Sequence, residues 1–336
     1  MKHSNIAIFV PHVGCPNMCS FCNQRSISGQ ESLPTAENVA QICEQAMREV
    51  SDKSTAEIAF FGGSFTAIER GYMVELLKSA YEFVGENGFK GIRISTRPDC
   101  IDNEVLALLK KYGVTAIELG AQSMVDEVLF ANNRGHCAED VVNASRLIKE
   151  NGFELGLQMM VGLYKSTAEF EYETMREIAK LSPETVRVYP VVVLNGTRLG
   201  ELYKAGDYRL YSFDEVVEIC AEMLCFFERN GIKIIRMGLH ASETVESEMV
   251  AGFYHPAFKE IVESRIYRNN ITKIINNCDT QNCYNINVNS SCISKALGHK
   301  KSNAMYFEEK GICVKIKPNS KLEKYECELE DGYQCI

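Results

Sequence analysis

The sequence has no apolar run that approaches the roughly 20 residues of a membrane-spanning helix. The apolar stretch near its start, residues 6–10, is shorter than the hydrophobic core of a secretory signal peptide. Low-complexity tracts are absent, and a composition that is 46% hydrophobic and 24% charged is that of an ordinary globular protein. We therefore expect a cytoplasmic protein with no membrane partner.

Cysteine is abundant, with 14 residues among 336. In a long cytosolic chain thiols stay reduced, so clustered cysteines indicate metal ligands. Cys15, Cys19 and Cys22 lie within eight residues at C-x3-C-x2-C spacing. Three such thiolates can bind three irons of a [4Fe–4S] cluster and leave the fourth iron open to a ligand. A closed zinc site needs a fourth protein ligand, and the next cysteine, Cys43, falls inside a predicted helix.

Short apolar segments alternate with amphipathic segments along most of the chain. The predicted strands are residues 6–10, 57–61, 91–96, 115–120, 154–160 and 185–193. The predicted helices between and after them are residues 36–50, 71–86, 103–111, 138–150, 168–180 and 213–230. Six β–α units in series predict a parallel sheet with right-handed crossovers, either barrel-like or doubly wound.

We favour an α/β fold with an incomplete (β/α)6 barrel, because the distinctive residues all follow strands, where barrels place their active sites. Residues 233–239 are expected to add a final edge strand. We predict a core domain over residues 1–240 and a small C-terminal α+β extension over 241–336. Within the extension the sequence predicts helices at 257–267 and 293–310 and strands at 271–275 and 284–288.

The second predicted strand runs into Gly62, Gly63 and Ser64. Paired glycines let the backbone approach a ligand closely, and their exposed peptide groups can bind a small zwitterion. Because this loop comes one strand after the cysteine loop, we expect the two loops to lie at the same end of the sheet.

Together, these residues resemble the radical S-adenosylmethionine (SAM) superfamily. Over about residues 5–240 the chain is similar to the core shared by the elongator catalytic subunit and oxygen-independent coproporphyrinogen oxidase. The stretches that carry the resemblance are the cysteine loop, the glycine pair, STRPD at 95–99, ELGAQS at 118–123, NRGH at 133–136, QMMVGL at 158–163 and YPVVV at 189–193.

The resemblance implies a [4Fe–4S] cluster on Cys15, Cys19 and Cys22, whose open iron is chelated by SAM. An electron from the cluster would cleave SAM and release a 5′-deoxyadenosyl radical. The residues implied to contact the cofactor are Phe21, Gly62, Gly63, Ser64, Ser95, Gln122, Arg134 and Gln158. Arg134 and His136 are the candidate catalytic residues, Arg134 as a partner for a carboxylate and His136 as an acid, base or substrate anchor.

Two features depart from these relatives. Elongator subunits space their first two cysteines more widely and carry an acetyltransferase domain, for which the roughly 80 residues after Pro256 are too few. Ser95 and Gln158 stand where coproporphyrinogen oxidase carries a glutamate and an aspartate. The resemblance therefore implies the radical chemistry and leaves the substrate open.

The net charge of −9 is unevenly distributed. Residues 259–325 contain twelve Lys and Arg against six Asp and Glu, and the run 294–303 is their most basic part. A basic segment on an acidic body indicates an anionic partner, although a solvated lysine-rich surface has the same composition. With the elongator resemblance, this segment favours tRNA as a partner. The radical SAM resemblance separately implies an electron donor such as flavodoxin or ferredoxin.

The leading hypothesis is thus a radical SAM enzyme that modifies tRNA or another RNA. The alternatives are a radical SAM enzyme of small-molecule or cofactor biosynthesis, and a non-catalytic iron–sulfur or zinc protein. The late cysteines are either scattered reduced thiols or ligands of an auxiliary cluster. They are Cys278, Cys283, Cys292, Cys313, Cys327 and Cys335.

Overall fold

A computed structural model describes residues 4–11, 18–23, 32–239, 243–278, 283–330 and 334–335. The chain forms two compact units. The barrel unit comprises residues 1–211 and 227–254, and the C-terminal unit comprises residues 212–226 and 255–336. The domain division between residues 240 and 241 stays a prediction.

The described residues of the barrel unit form a seven-stranded parallel sheet in the order β1-β2-β3-β4-β5-β6-β8. Its strands are β1 (Ser4–Val10), β2 (Ala56–Gly62), β3 (Gly91–Thr96), β4 (Val114–Gln122), β5 (Glu154–Val161), β6 (Thr185–Pro190) and β8 (Lys233–Met237). From β1 to β6 each strand neighbours the next one in sequence, as serial right-handed β–α units require, and β8 completes the sheet beside β6. This is the predicted incomplete barrel, and β8 is the predicted edge strand.

Helices cover the outer face of the sheet. They are α1 (Ala36–Glu49), α2 (Arg70–Tyr81), α3 (Asn103–Lys111), α5 (Ala138–Glu150) and α6 (Ala168–Lys180), whereas α4 (Asp126–Ala131) and α7 (Arg198–Ala205) lie in the segments that follow β4 and β6. Their starts are set by side-chain caps: Thr35 accepts a hydrogen bond from the Asn38 backbone N–H, and Asp102 accepts one from that of Val105. Val39 and Leu76 are fully buried in the layer between helices and sheet.

The inner face of the sheet differs from the outer face. Along β5, the outward-facing Leu155, Leu157 and Met159 are at most 1% exposed, whereas the alternate residues Glu154 and Gln158 are half-buried. Since successive side chains of a strand point to opposite faces, the half-buried set lines the inside of the barrel, here called the lumen. The lumen is therefore polar and accessible.

The predicted strand at 185–193 is wrong as a single element. The parallel strand β6 ends at Pro190, and Val192–Leu194 forms β7, which pairs antiparallel with β9 (Met249–Gly252). Proline has no N–H to donate to a ladder, so the chain leaves the barrel sheet here. A short helix, α9 (Glu243–Glu248), precedes β9.

The C-terminal unit contains most of α8 (Phe213–Arg229), the long helix α10 (Phe258–Asn276) and a four-stranded sheet in the order β11-β10-β12-β13. These strands are β10 (Cys283–Val288), β11 (Cys313–Pro318), β12 (Cys327–Leu329) and β13 (Gln334–Cys335). The small α+β extension is thus present, with the strand near 284–288 as predicted.

Two expectations in this unit are wrong. The segment 271–275 lies in α10 and not in a strand, because Ile271 and Ile274 bury one helical face together with Tyr267. The helix predicted over 293–310 is broken into α11 (Ile293–Leu297) and α12 (Ser302–Glu309). Gly298 has a positive φ and stops the first helix.

Cys283 and Cys313 face each other on adjacent strands and form a disulfide. The expectation of scattered reduced thiols therefore fails for this pair, because register brings two residues separated by 30 positions into contact. Among the helices that the structure describes, none is long and apolar enough to cross a membrane.

Candidate active site

The cysteine loop follows β1, at the end of the sheet where barrels carry active sites. Cys15 lies outside the described residues, and Cys19 and Cys22 are half-buried. The backbone of Ser20 between them is held on two sides: its N–H donates to the Asn132 carbonyl at 3.1 Å, and its carbonyl accepts from the Leu199 N–H at 2.7 Å. The thiols therefore sit on an anchored turn.

Phe21 is a packing residue of this turn. Its ring is 9% exposed and belongs to an apolar cluster against which Cys19 and Cys22 also pack. The cluster consists of Phe21, Val128, Leu163, Val191, Val193, Leu199 and Tyr208. Phe21 therefore contributes to the site by holding the two thiols against the loops that follow β4 and β5.

Arg134 connects the cysteine loop to β4. Its Nη1 lies 3.1 Å from the Cys19 sulfur, and its Nη2 donates to the Gly120 carbonyl at 2.6 Å. The side chain is 7% exposed, and its Nε has no hydrogen-bond partner within the described chain. Arg134 therefore ties the cysteine loop to the end of β4 through its two terminal nitrogens.

A second arginine, Arg97, lies in the loop after β3. It forms a two-bond ion pair with Asp99, at 2.8 and 2.7 Å, and leaves its buried Nη1 without a partner in the described chain. Burial would lower the pKa of Arg97, but Asp99 and, more weakly, the sulfur atoms of Cys100 and Cys19 raise it. Two positive charges therefore lie near Cys19.

The glycine pair brings the loop after β2 against β1. Gly62 has φ +112°, and a Cβ there would lie 3.0 Å from the Val10 carbonyl oxygen, while the Gly63 N–H donates to the same oxygen at 2.9 Å. Ser64 is 1% exposed, and its hydroxyl binds the Thr96 hydroxyl and accepts from the Arg97 N–H, each at 3.0 Å. Ser64 thus joins the loops after β2 and β3.

Gln122 and His136 both lie beside Arg134 at the end of β4. Gln122 has φ +67°, and its Oε1 is buried without a partner in the described chain. The His136 Nε2 lies 3.3 Å from the Ala121 carbonyl, and its Nδ1 is likewise unpaired. Burial, first, and the charge of Arg134 lower the pKa of His136 to about 4. The imidazole is therefore neutral at pH 7, with Nδ1 able to accept a proton or hydrogen bond.

Ser95 and Gln158 lie together inside the lumen. The Gln158 Nε2 donates to the Ser95 Oγ at 3.0 Å and to Glu118 at 2.8 Å. Glu118 in turn accepts two hydrogen bonds from Arg187, at 2.6 and 2.9 Å. The two predicted cofactor contacts therefore already bind one another and a buried ion pair.

A second buried ion pair lies deeper in the lumen. Arg93, 1% exposed, contacts Glu57 at 2.7 Å and Glu154 at 2.6 Å. Burial, the largest single effect, would raise the pKa of Glu154, but the charges and hydrogen bonds of Arg93 and Lys90 together lower it. This network was not predicted, although the strands β2 to β6 each carry one charged residue between apolar neighbours, as in IRI at 92–94.

The geometry at the end of the sheet fits a small zwitterionic ligand. Two buried arginine N–H groups, on Arg97 and Arg134, match a carboxylate, and the unpaired Gln122 Oε1 and His136 Nδ1 match ammonium or hydroxyl donors. Buried polar groups in proteins are normally paired, so four unpaired atoms at one site indicate a binding role. Across the described ranges no three Cys, His, Asp or Glu residues converge on one metal position.

The chain resembles known proteins in sequence and in fold. The sequence model of the radical SAM superfamily matches residues 9–178, and that of the Radical_SAM C-terminal domain matches residues 183–268. The tRNA uridine(34) acetyltransferase of Methanocaldococcus infernus is 31% identical over 184 residues, which are 48% of this chain and 34% of that protein. Human elongator complex protein 3 is 36% identical over 137 residues, 40% of this chain and 25% of that protein.

This chain therefore matches only 34% and 25% of the lengths of these two relatives. Among solved structures, the archaeal Elp3 of Methanocaldococcus infernus, with residues 1–46 deleted, superposes with a TM-score of 0.57. The superposition covers 73% of this chain and 61% of the Elp3 chain, with 22% sequence identity. At that identity the likeness establishes the fold alone. Because the superfamily model matches half of the chain, this protein belongs to the radical SAM superfamily of enzymes.

Proposed function

We propose that this chain binds a [4Fe–4S] cluster through Cys15, Cys19 and Cys22, and uses it to cleave SAM reductively in the modification of tRNA. When bound, the cluster supplies the electron that cleaves SAM to a 5′-deoxyadenosyl radical. The observation that carries the proposal is the buried Arg134, which contacts the Cys19 sulfur at 3.1 Å and whose Nε has no hydrogen-bond partner among the described residues. Reduced flavodoxin or ferredoxin would supply the electron.

The chain's own residues would bind and orient the methionyl part of SAM. Arg134 and Arg97 would receive its carboxylate, since guanidinium–carboxylate hydrogen bonds are among the strongest in proteins. Gln122 would accept a hydrogen bond through Oε1. Gly62 and Gly63 permit close backbone approach, and Ser64 would act indirectly, by joining two loops of the site.

Ser95, Gln158 and His136 have different parts in this proposal. Ser95 and Gln158 are half-buried in the lumen and hydrogen-bonded to each other, so they would present the ribose with a fixed hydroxyl–amide pair. His136, neutral at pH 7, would serve as a hydrogen-bond or proton acceptor rather than as an acid.

The proposal of tRNA as substrate rests on the names of the relatives and on charge. Relatives that align to part of this chain are named tRNA uridine(34) acetyltransferase. In the basic segment Lys295 contacts Glu263 at 2.9 Å, whereas Lys300 and Lys301 are exposed. The two exposed lysines are therefore the better candidates for contact with a phosphate backbone.

The test begins with anaerobic reconstitution of the full chain. We expect about four irons per chain, and 5′-deoxyadenosine from SAM under dithionite. Cys19→Ala should abolish this product and lower bound iron. Arg134→Gln should retain a folded protein and lower the product about tenfold or more, as the loss of a charge-assisted hydrogen bond predicts. Cys278→Ser, a free thiol in the other unit, is the control and should behave as wild type.

The substrate is tested in cells. Comparison of modified nucleosides in tRNA with and without this protein should reveal a nucleoside that depends on it. Full product formation by Cys19→Ala would refute the cluster assignment, and identical nucleoside profiles would refute tRNA as the substrate.

A further inference from the structure

A β-bulge in β8 turns Arg236 into the lumen. Val186 of β6 pairs with Ile234, but Arg187 pairs with Arg236, so Ile235 has no partner in β6. Without this extra residue Ile235 would lie opposite Arg187, and Arg236 would point to the helices. Bulges of this kind re-aim side chains beside active sites.

The bulge places two guanidinium groups side by side, and the described chain supplies a carboxylate for one. Arg187 is bound by Glu118 through two hydrogen bonds. Arg236 donates its Nε to the Gly238 carbonyl at 2.8 Å and its Nη2 to that of Leu239. These peptide oxygens satisfy two of its donors, but they do not neutralise its charge.

The other charges of the lumen are already matched. The carboxylates are Glu57, Glu118 and Glu154. They face Arg93, Arg187 and Lys90, with the Lys90 amine 3.5 Å from Glu154. Arg236 is thus a fourth cation for which the described residues offer no carboxylate. Burial, first, and the like charge of Arg187 lower the pKa of Arg236, while Tyr189 and Tyr254 act in the opposite direction.

The surroundings of Arg236 are those of a binding cavity. Tyr189 lies two residues beyond Arg187 on the same face of β6, and the Phe61 ring lies 4.9 Å from the Arg187 guanidinium carbon. Arg236, Tyr189 and Phe61 are half-buried, while Val186, Val188 and Phe60 on the opposite face are at most 1% exposed. The Tyr189 hydroxyl, which is hydrogen-bonded to Arg187, the Phe61 ring and the Arg236 guanidinium therefore line the same part of the lumen.

We propose that Arg236 and Tyr189 bind the anionic group, a carboxylate or a phosphate, of the molecule on which this enzyme acts. Guanidinium binds both oxyanions with paired hydrogen bonds, and a tyrosine hydroxyl adds a third donor. The inference rests on the proposed function at one point only, where it identifies the bound molecule as the substrate of the enzyme. The anion site itself depends on the geometry of β6 and β8.

The experiment measures anion binding by the anaerobically prepared, cluster-loaded full chain. Thermal unfolding is followed during titration with inorganic phosphate and, separately, with acetate, each against sodium chloride at equal ionic strength. We expect one of the two anions to raise the Tm saturably. Arg236→Gln should weaken its apparent dissociation constant at least tenfold, and Arg229→Gln, an exposed arginine of α8, should leave it unchanged.

A preference for phosphate would identify a phosphorylated substrate, and a preference for acetate would identify a carboxylic acid. Tyr189→Phe removes one hydroxyl and should weaken binding severalfold, so it tests the site even if Arg236→Gln does not fold. Absence of stabilisation by either anion, or an unchanged dissociation constant in the folded variants, would overturn the inference. Loss of 5′-deoxyadenosine formation with intact anion binding would instead refute the proposed function alone.

Discussion

Glu171, in α6, is a buried carboxyl group that the sequence analysis did not single out. It is 2% exposed and accepts a hydrogen bond from the Gly162 N–H at 2.7 Å, while the Tyr208 hydroxyl donates to the Gly162 carbonyl. Burial raises the pKa of Glu171 to about 7. Leu163 and Tyr208 belong to the apolar cluster around Phe21, against which Cys19 and Cys22 pack. The Glu171 carboxyl therefore lies next to the residues that hold the cysteine loop.

Protonation of Glu171 should make stability depend on pH. Its pKa is about 7 in the folded state against 4.5 as the ordinary value, so the folded state binds more protons between these limits. The free energy of unfolding should therefore fall, by about 2–3 kcal/mol, as pH rises from 4.5 to 7. Glu171→Gln keeps an oxygen acceptor for Gly162 and should flatten this dependence in urea unfolding at pH 5, 6, 7 and 8.

The control for this prediction is Glu169→Gln on the same helix, whose side chain is 73% exposed in an ion pair with Arg176. It should retain the wild-type slope. Equal slopes for Glu171→Gln and wild type would show that Glu171 is not protonated in the folded state.

At the scale of elements, charged residues connect the strands across the lumen. Arg93 of β3 contacts Glu57 of β2 and Glu154 of β5, and Arg187 of β6 contacts Glu118 of β4. Charges taken out of water are tolerated only when they are paired and hydrogen-bonded. The charged residues of the lumen therefore form a connected network. Removal of one charged side chain leaves the buried charge of its partner unpaired.

Removal of Arg93 should be strongly destabilising. Arg93→Met leaves the fully buried Glu57 without its strongest cation, and we expect a loss of about 3–5 kcal/mol in the free energy of unfolding. The matched control is Arg146→Met, which breaks the exposed pair with Glu150 and should cost less than about 1 kcal/mol. Comparable losses in urea unfolding for the two variants would contradict a structural role for the Arg93 network.

At the scale of the whole molecule, charge differs between the two units. The acidic body contains the barrel, and the basic segment 259–325 lies in the C-terminal unit. Part of that positive charge is neutralised by ion pairs within the segment and its end. Glu263 contacts both Lys295 and Lys324, and Glu330 contacts Lys317. Any electrostatic attraction of RNA therefore depends on the lysines that remain exposed.

The double variant Lys300→Glu, Lys301→Glu should weaken retention of bulk tRNA and reduce its dependence on salt, since fewer counterions are released. The measurement is the dissociation constant at several salt concentrations. Lys78→Glu with Lys111→Glu makes the same change of charge on exposed helical residues of the barrel unit, and should have a smaller effect. If both double variants weaken binding equally, the attraction depends on net charge and not on this loop.

Much of the barrel could be predicted because its signals are local. The strands at 91–96 and 154–160 are short apolar runs, and Asp102 and Thr167 mark helix starts by capping. The segment 271–275 was mistaken for a strand because β-branched residues favour strands, whereas the packing of Ile271 and Ile274 decides for a helix. The break at Pro190 depends on a distant partner, β9, that no local pattern indicates.

By itself, the sequence determined the alternation of strands and helices and the spacing of the cysteines, because both are set by residues close together in the chain. Tertiary structure alone decided that Arg134 meets Cys19 across 115 positions, and that Arg236 faces Arg187. Strict alternation along 233–237 would put Arg236 on the helix-facing side. Register between strands is a property of their pairing, so the bulge that reverses this orientation has no signature in either strand alone.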